Sequence, residues 1–140
     1  MHLERHGKVC QWASDIEPQH PLVGKQDALT GQWPDARQFI TNPPWSRKIL
    51  HPLIDHLRVQ APTWLLFDAD WIHTQQSVGY KDGIDRAQYC HKIVSVGRVS
   101  WEQNGVVGKD NCAWHLFKAE PAENIVFIPP KLRTRKARKS

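Results

Sequence analysis

The sequence predicts an α/β fold, a mostly parallel sheet with an antiparallel end, on three observations. Short apolar runs alternate with a segment of helical spacing. The run Thr63-Trp64-Leu65-Leu66-Phe67 is continuously apolar, as in a strand buried on both faces. Two late runs are separated by Asn104-Gly105 and Gly108, the signature of a hairpin.

The elements follow in chain order. Residues 1–7 read as the end of a helix closed by Gly7. Val9 to Ile16 reads as a short strand with an acidic residue at its end. Residues 17–38 form a polar connection punctuated by Pro18, Pro21, Gly24, Gly31 and Pro34, with a short strand or turn around Gln26 to Leu29. Gln38-Phe39-Ile40-Thr41 is a strand that runs into Asn42-Pro43-Pro44-Trp45. Within residues 46–60, Ile49, Leu50, Leu53, Ile54 and Leu57 have the spacing of one helix face. Pro52 should kink that helix or mark its effective start. Asp68 and Asp70 follow the buried run, and one of them should cap the next turn. Residues 71–90 read as a loop and a weak helix. Lys92 to Trp101 and Cys112 to Lys118 are the two hairpin strands.

Composition limits the classes. With 140 residues, 40% of them hydrophobic, the chain can build one packed core. No apolar run approaches the roughly 18 residues of a membrane span, and no apolar stretch follows Met1 as in a secretory signal. Three scattered cysteines make neither a disulfide framework nor a metal knuckle. These features predict a cytoplasmic protein with reduced thiols, of a bacterial or phage type. The net charge is +5, yet Lys131 to Ser140 holds six of the nineteen basic residues and no acidic one. The remaining thirteen basic residues stand against fourteen acidic ones, so the excess belongs to the tail. Two domain segments are expected: 1–120 as the folded part, and 121–140 as an extension with a disordered basic tail. Lys131, Arg133, Arg135, Lys136, Arg138 and Lys139 can meet phosphates or simply keep a terminus soluble.

The chemistry-bearing motif is Asn42-Pro43-Pro44-Trp45. The carboxyl tip of a parallel strand is where α/β folds place ligands. Two prolines fix the backbone and hold Asn42 extended. An exocyclic amine offers two N–H donors. The Asn42 amide oxygen and the Pro43 carbonyl can accept both, which aims the nitrogen lone pair at a methyl donor. Trp45 can stack on the flat ring. The histidines, by contrast, show no metal-ligand spacing.

This motif and its setting resemble the S-adenosylmethionine-dependent amino-methyltransferases, the DNA adenine-N6 type in particular. Those enzymes share Asp/Asn/Ser-Pro-Pro-aromatic. The resemblance covers nearly all of residues 1–118 and implies a Rossmann-like methyltransferase sheet. It implies that Ser14-Asp15-Ile16-Glu17 holds the ribose of S-adenosylmethionine, through Asp15 and Ile16. It implies that Gln26-Asp27-Ala28-Leu29 meets the cofactor adenine ring, through Asp27 and Ala28. It implies that Asn42, Pro43, Pro44 and Trp45 hold the target amine of DNA. The family's first strand carries a glycine-rich loop, and residues 1–14 contain no Gly-x-Gly. That strand is therefore expected to be missing, leaving a gap in the sheet or a place for a partner chain or oligomer. Methylation of cytosine N4, RNA or protein glutamine, and a non-catalytic nucleic-acid-binding remnant, are the alternatives.

Overall fold

Parallel pairing begins where the sequence turns apolar. In the computed structural model, which describes residues 14–15, 24–99 and 108–132, strand β3 (Phe39–Thr41) lies parallel to β4 (Thr63–Asp68). Helix α1 (Arg47–Arg58) makes the crossover between them. Strand β5 (Cys90–Arg98) and β6 (Asn111–Phe117) form the expected antiparallel hairpin, and β6 pairs antiparallel with β4 on its other side. A last strand, β7 (Val126–Ile128), runs parallel to β5. The order across this five-stranded mixed sheet is β3-β4-β6-β5-β7, with β6 alone running opposite to the rest. A separate parallel pair joins β1 (Ser14–Asp15) to β2 (Gly24–Lys25) and is not hydrogen-bonded to the larger sheet.

The core sits between α1 and one face of this sheet. Leu50, Leu53, Ile54 and Leu57 of the helix pack with Leu65 and Phe67 of β4, Ala113 and Phe117 of β6, Ile93 and Cys90 of β5, and Trp71. Burial of this apolar surface is the main source of stability. Expectation and structure differ at several points. The continuous apolar run of β4 predicts burial on both faces, yet only Thr63, Leu65 and Phe67 are buried, while Trp64, Leu66 and Asp68 are half-buried. The single α-helix among the described residues covers one face, and this produces the alternation. Ile49 turns outward, and His51 takes its place in the buried stripe. The helix runs through Pro52, which neither starts nor ends it. Pro52 is exposed, so its missing N–H costs one backbone bond and no packing.

Residues 71–90 form three 3-10 turns, Ala69–His73, Gln75–Val78 and Ala87–Tyr89, rather than a helix. Gly97 has φ +83° where the β5–β6 register shifts, a bulge that favours glycine. β7 lies past residue 120 and pairs with β5. Ile125 to Ile128 is a short apolar run followed by Pro129-Pro130, which ends the strand. The expected helix end at residues 1–7 and the tail from 133 onward lie outside the described residues. No described helix is long and apolar enough to cross a membrane.

Candidate active site

The predicted motif lies at the carboxyl tip of β3. Thr41 pairs with Leu65, so β4 continues for three residues beside residues 42–44. Pro43 is buried and anchors the turn. Asn42 and Pro44 are exposed, and Trp45 is half-buried against the core. Among the described residues no side-chain hydrogen bond holds the Asn42 amide, so its donor and acceptor face solvent. Ser46 then opens α1, its carbonyl accepting the amides of Ile49 and Leu50.

A cleft opens beside this tip, lined by Trp45, Arg47, Leu50, Phe67, Asp68 and Trp71. Its enclosed volume is about 60 Å³, well under the roughly 300 Å³ at the lower end of ligand pockets. As it stands it admits the edge of a ring. Asp68 caps the following 3-10 turn, its Oδ1 accepting the Asp70 amide at 2.9 Å, and also faces the cleft. The cap expected of this pair therefore falls to Asp68.

Behind the cleft runs a polar network that no local sequence pattern announces. The Trp71 indole N–H donates to Nε2 of His51 at 2.9 Å. A neutral His51 then carries its proton on Nδ1, which faces Arg86 Nη1 at 3.4 Å, donor against donor. Arg86 is itself buried and donates twice to Asp55, Nε to Oδ1 at 2.9 Å and Nη2 to Oδ2 at 2.7 Å. Its Nη1 donates to Asp82 at 2.7 Å. Burial pulls the Arg86 pKa down, but the hydrogen bonds it donates to Asp55 and Asp82 outweigh it and keep the guanidinium charged. Burial first, then the Arg86 charge, lowers the pKa of His51. The Ile84 amide, ahead of Arg86, holds the Asp82 carboxyl below its usual range. Asp82 and Arg86 are four apart in the chain but lie in a loop, so their spacing gives no helical signal. The Asp55–Arg86 pair joins α1 to a loop 31 residues away.

A second buried histidine, His115 of β6, is stacked on Phe67 with ring centroids 3.9 Å apart. Phe117 lies parallel at 6.3 Å, and Trp71 meets it edge-on at 6.1 Å. Neither ring nitrogen of His115 has a hydrogen-bond partner of sound geometry. Burial pushes its pKa down to about 4, and the nearby Leu65 and Ala113 backbone offsets only part of that. The Cys90 thiol is pushed up to about 12 by burial, and the Cys112 thiol is raised by burial and then by Asp110 and Asp68. Both are free and protonated at neutral pH. Among the described residues no cluster of three His, Cys, Asp or Glu could hold a metal ion.

The residues expected on the cofactor side lie elsewhere. Asp15 ends β1 opposite Lys25, and Ile16 lies outside the described residues. Asp27 begins a turn, its Oδ1 accepting the Leu29 amide and its carbonyl the amides of Thr30 and Gly31. The Gly31 carbonyl in turn accepts from His56 and Gln60, and Ala28 packs on the core. This turn is thus tied to the carboxyl-terminal half of α1, whereas Asn42 leads into its amino-terminal end. S-adenosylmethionine could use Asp15 and Asp27 chemically, as carboxylate acceptors for hydroxyl and amine groups. In this arrangement Asp27 and Ala28 do not line the cleft beside Asn42. Comparison with protein-family models, curated proteins and solved structures found no match to this chain.

Proposed function

We propose that the chain carries the amine-orienting part of a methyltransferase acting on the N6 amine of adenine in DNA, with S-adenosylmethionine as methyl donor. One observation carries this reading. An Asn-Pro-Pro-Trp tip with an unengaged amide ends a parallel strand, beside a cleft walled by two tryptophans and an aspartate. The Asn42 carboxamide oxygen and the Pro43 carbonyl accept the two amine N–H groups. Trp45 offers its exposed part to the face of a flipped base. The sulfonium of the donor, when bound, makes the methyl carbon electrophilic, so orientation contributes more than acid–base chemistry. Lys131 and the basic residues after it contribute phosphate attraction without base selectivity.

The sheet order supports the same reading. A parallel β3–β4 pair is followed by an antiparallel hairpin, and among the described residues no strand pairs with the outer edge of β3. A second reading, a nucleic-acid-binding module without catalysis, is favoured by the position of Asp27 and Ala28 away from the cleft.

Labelled methyl transfer to unmethylated DNA, run beside calorimetric titration with S-adenosylmethionine, tests both. Asn42→Ala should lower turnover on the order of 100- to 1000-fold and leave donor affinity nearly unchanged. Unaltered turnover in Asn42→Ala removes the assignment of Asn42. A wild-type chain that binds DNA but neither binds nor uses the donor moves the conclusion to the second reading.

A further inference from the structure

We propose that β7 is a self-pairing edge through which two copies of this chain form an antiparallel, two-fold dimer with one sheet continuous across both. β7 hydrogen-bonds to β5 on one side only, and among the described residues its other side has no partner. It is also apolar and open. Val126 is 52% exposed, Phe127 61% and Ile128 40%, with Ile125 at 40% just before them. Edge strands of single-copy proteins are ordinarily guarded by charge or irregularity, because unpaired N–H and C=O groups recruit another strand. From Asn124 to Pro130 this edge carries no charge at all.

The flanking charges select the occupant. Centre an antiparallel pair on Phe127. Val126 of one copy then faces Ile128 of the other, and Ile125 faces Pro129. Beyond the ladder, the Glu123 end of one copy lies beside the Lys131 end of the other, and the two-fold repeats that match at the other end. Glu123 and Lys131 are both exposed and in no ion pair within the described chain. A parallel arrangement would set Glu123 against Glu123 and lose the match. Pro129 and Pro130 lack N–H groups, which stops the new ladder at the end of β7 and fixes its register. The same patch is used by both copies, so the assembly closes at two. A short strand edge buries less than the roughly 1,000 Å² of a stable interface, so the dimer is weak and reversible. This proposal is independent of the methyl-transfer reading, since β7 lies at the edge opposite β3.

Sedimentation velocity on the full chain, from low micromolar to near-millimolar concentration, tests it. The wild type should pass from monomer to dimer over that range. Glu123→Lys replaces two attractions by two repulsions and should weaken association roughly tenfold. Lys131→Glu should do the same, and the double exchange Glu123→Lys with Lys131→Glu should restore association to within about twofold. Both positions are exposed, so the far-ultraviolet circular dichroism should not change. A chain that stays monomeric throughout, a dimer indifferent to Glu123→Lys, or a double exchange that fails to restore association would each overturn the proposal.

Discussion

His51 and His115 are buried in one core, both touching Trp71, and they are accommodated in opposite ways. His51 accepts the Trp71 N–H and lies beside Arg86, which is itself held by Asp55 and Asp82. His115 is stacked on Phe67, with Phe117 to the side of the pair, and has no partner for either nitrogen. The contrast shows two solutions to one cost. A buried polar group is either bonded or kept neutral and treated as a flat ring. The first solution binds α1 to the loop carrying Arg86. The second fills the sheet face at the price of an unmet hydrogen-bonding capacity.

The largest expected effect breaks the first solution. Arg86→Met removes the cation between two carboxylates. Loss of one partner of a buried pair costs about 3–5 kcal/mol, and the partial exposure of Asp55 and Asp82 reduces this to about 2–3 kcal/mol. Urea denaturation at neutral pH measures it.

Acid tests the second solution. The folded-state pKa of His115, about 4, lies below its ordinary value of 6.5. The folded protein thus binds fewer protons than the unfolded chain between these values, and protonation favours unfolding. Stability is fully present above pH 6.5 and declines as pH falls toward 4. The loss attributable to His115 reaches about 3 kcal/mol at one pKa unit per 1.36 kcal/mol. His51, also lowered, adds to the same decline. His115→Phe keeps the stack and removes the proton site. Its stability should fall less steeply between pH 6.5 and 4 than that of the wild type. An equal slope in the two proteins would show that His115 is accessible to water.

The smallest effect sharpens the comparison at the shared residue. Trp71→Phe keeps a ring against His115 and deletes the N–H that fixes the His51 tautomer. Its expected cost is about 1 kcal/mol for a single neutral hydrogen bond. His51 Nδ1 would then be free to accept from Arg86, and nitrogen-15 chemical shifts of the imidazole should report the exchange of tautomer.

Much of the fold is legible in the sequence because it is carried by neighbours in the chain. The apolar run 63–67, the Pro-Pro stop after Thr41, and the stripe Leu50, Leu53, Ile54 and Leu57 state their elements locally. The exchange of Ile49 for His51 is not legible, because it depends on the indole of a residue twenty positions later. β7 escapes notice for a similar reason. A three-residue apolar segment is a strand only once β5 lies beside it. Asn42, Pro43, Pro44 and Trp45 follow the tip of β3, and of these Trp45 lines the cleft. Arg47, Asp68 and Trp71 join Trp45 there only through the parallel register of β3 and β4. The turn at Asp27 is readable as a turn, but its attachment to His56 and Gln60 is a long-range event.

The reversed strand β6 sets a timetable. It follows both β4 and β5 in the chain, yet it lies between them in the middle of the sheet. Until residues 111–117 are synthesised, β4 and β5 have no common neighbour, and Phe67 and Ile93 lack the opposing strand that buries them. Non-local pairing of this kind slows folding. A nascent chain of this protein would hold β4 and β5 open until β6 has emerged to lie between them. A stalled or prematurely terminated product would then be a substrate for chaperones and proteases rather than a smaller working domain.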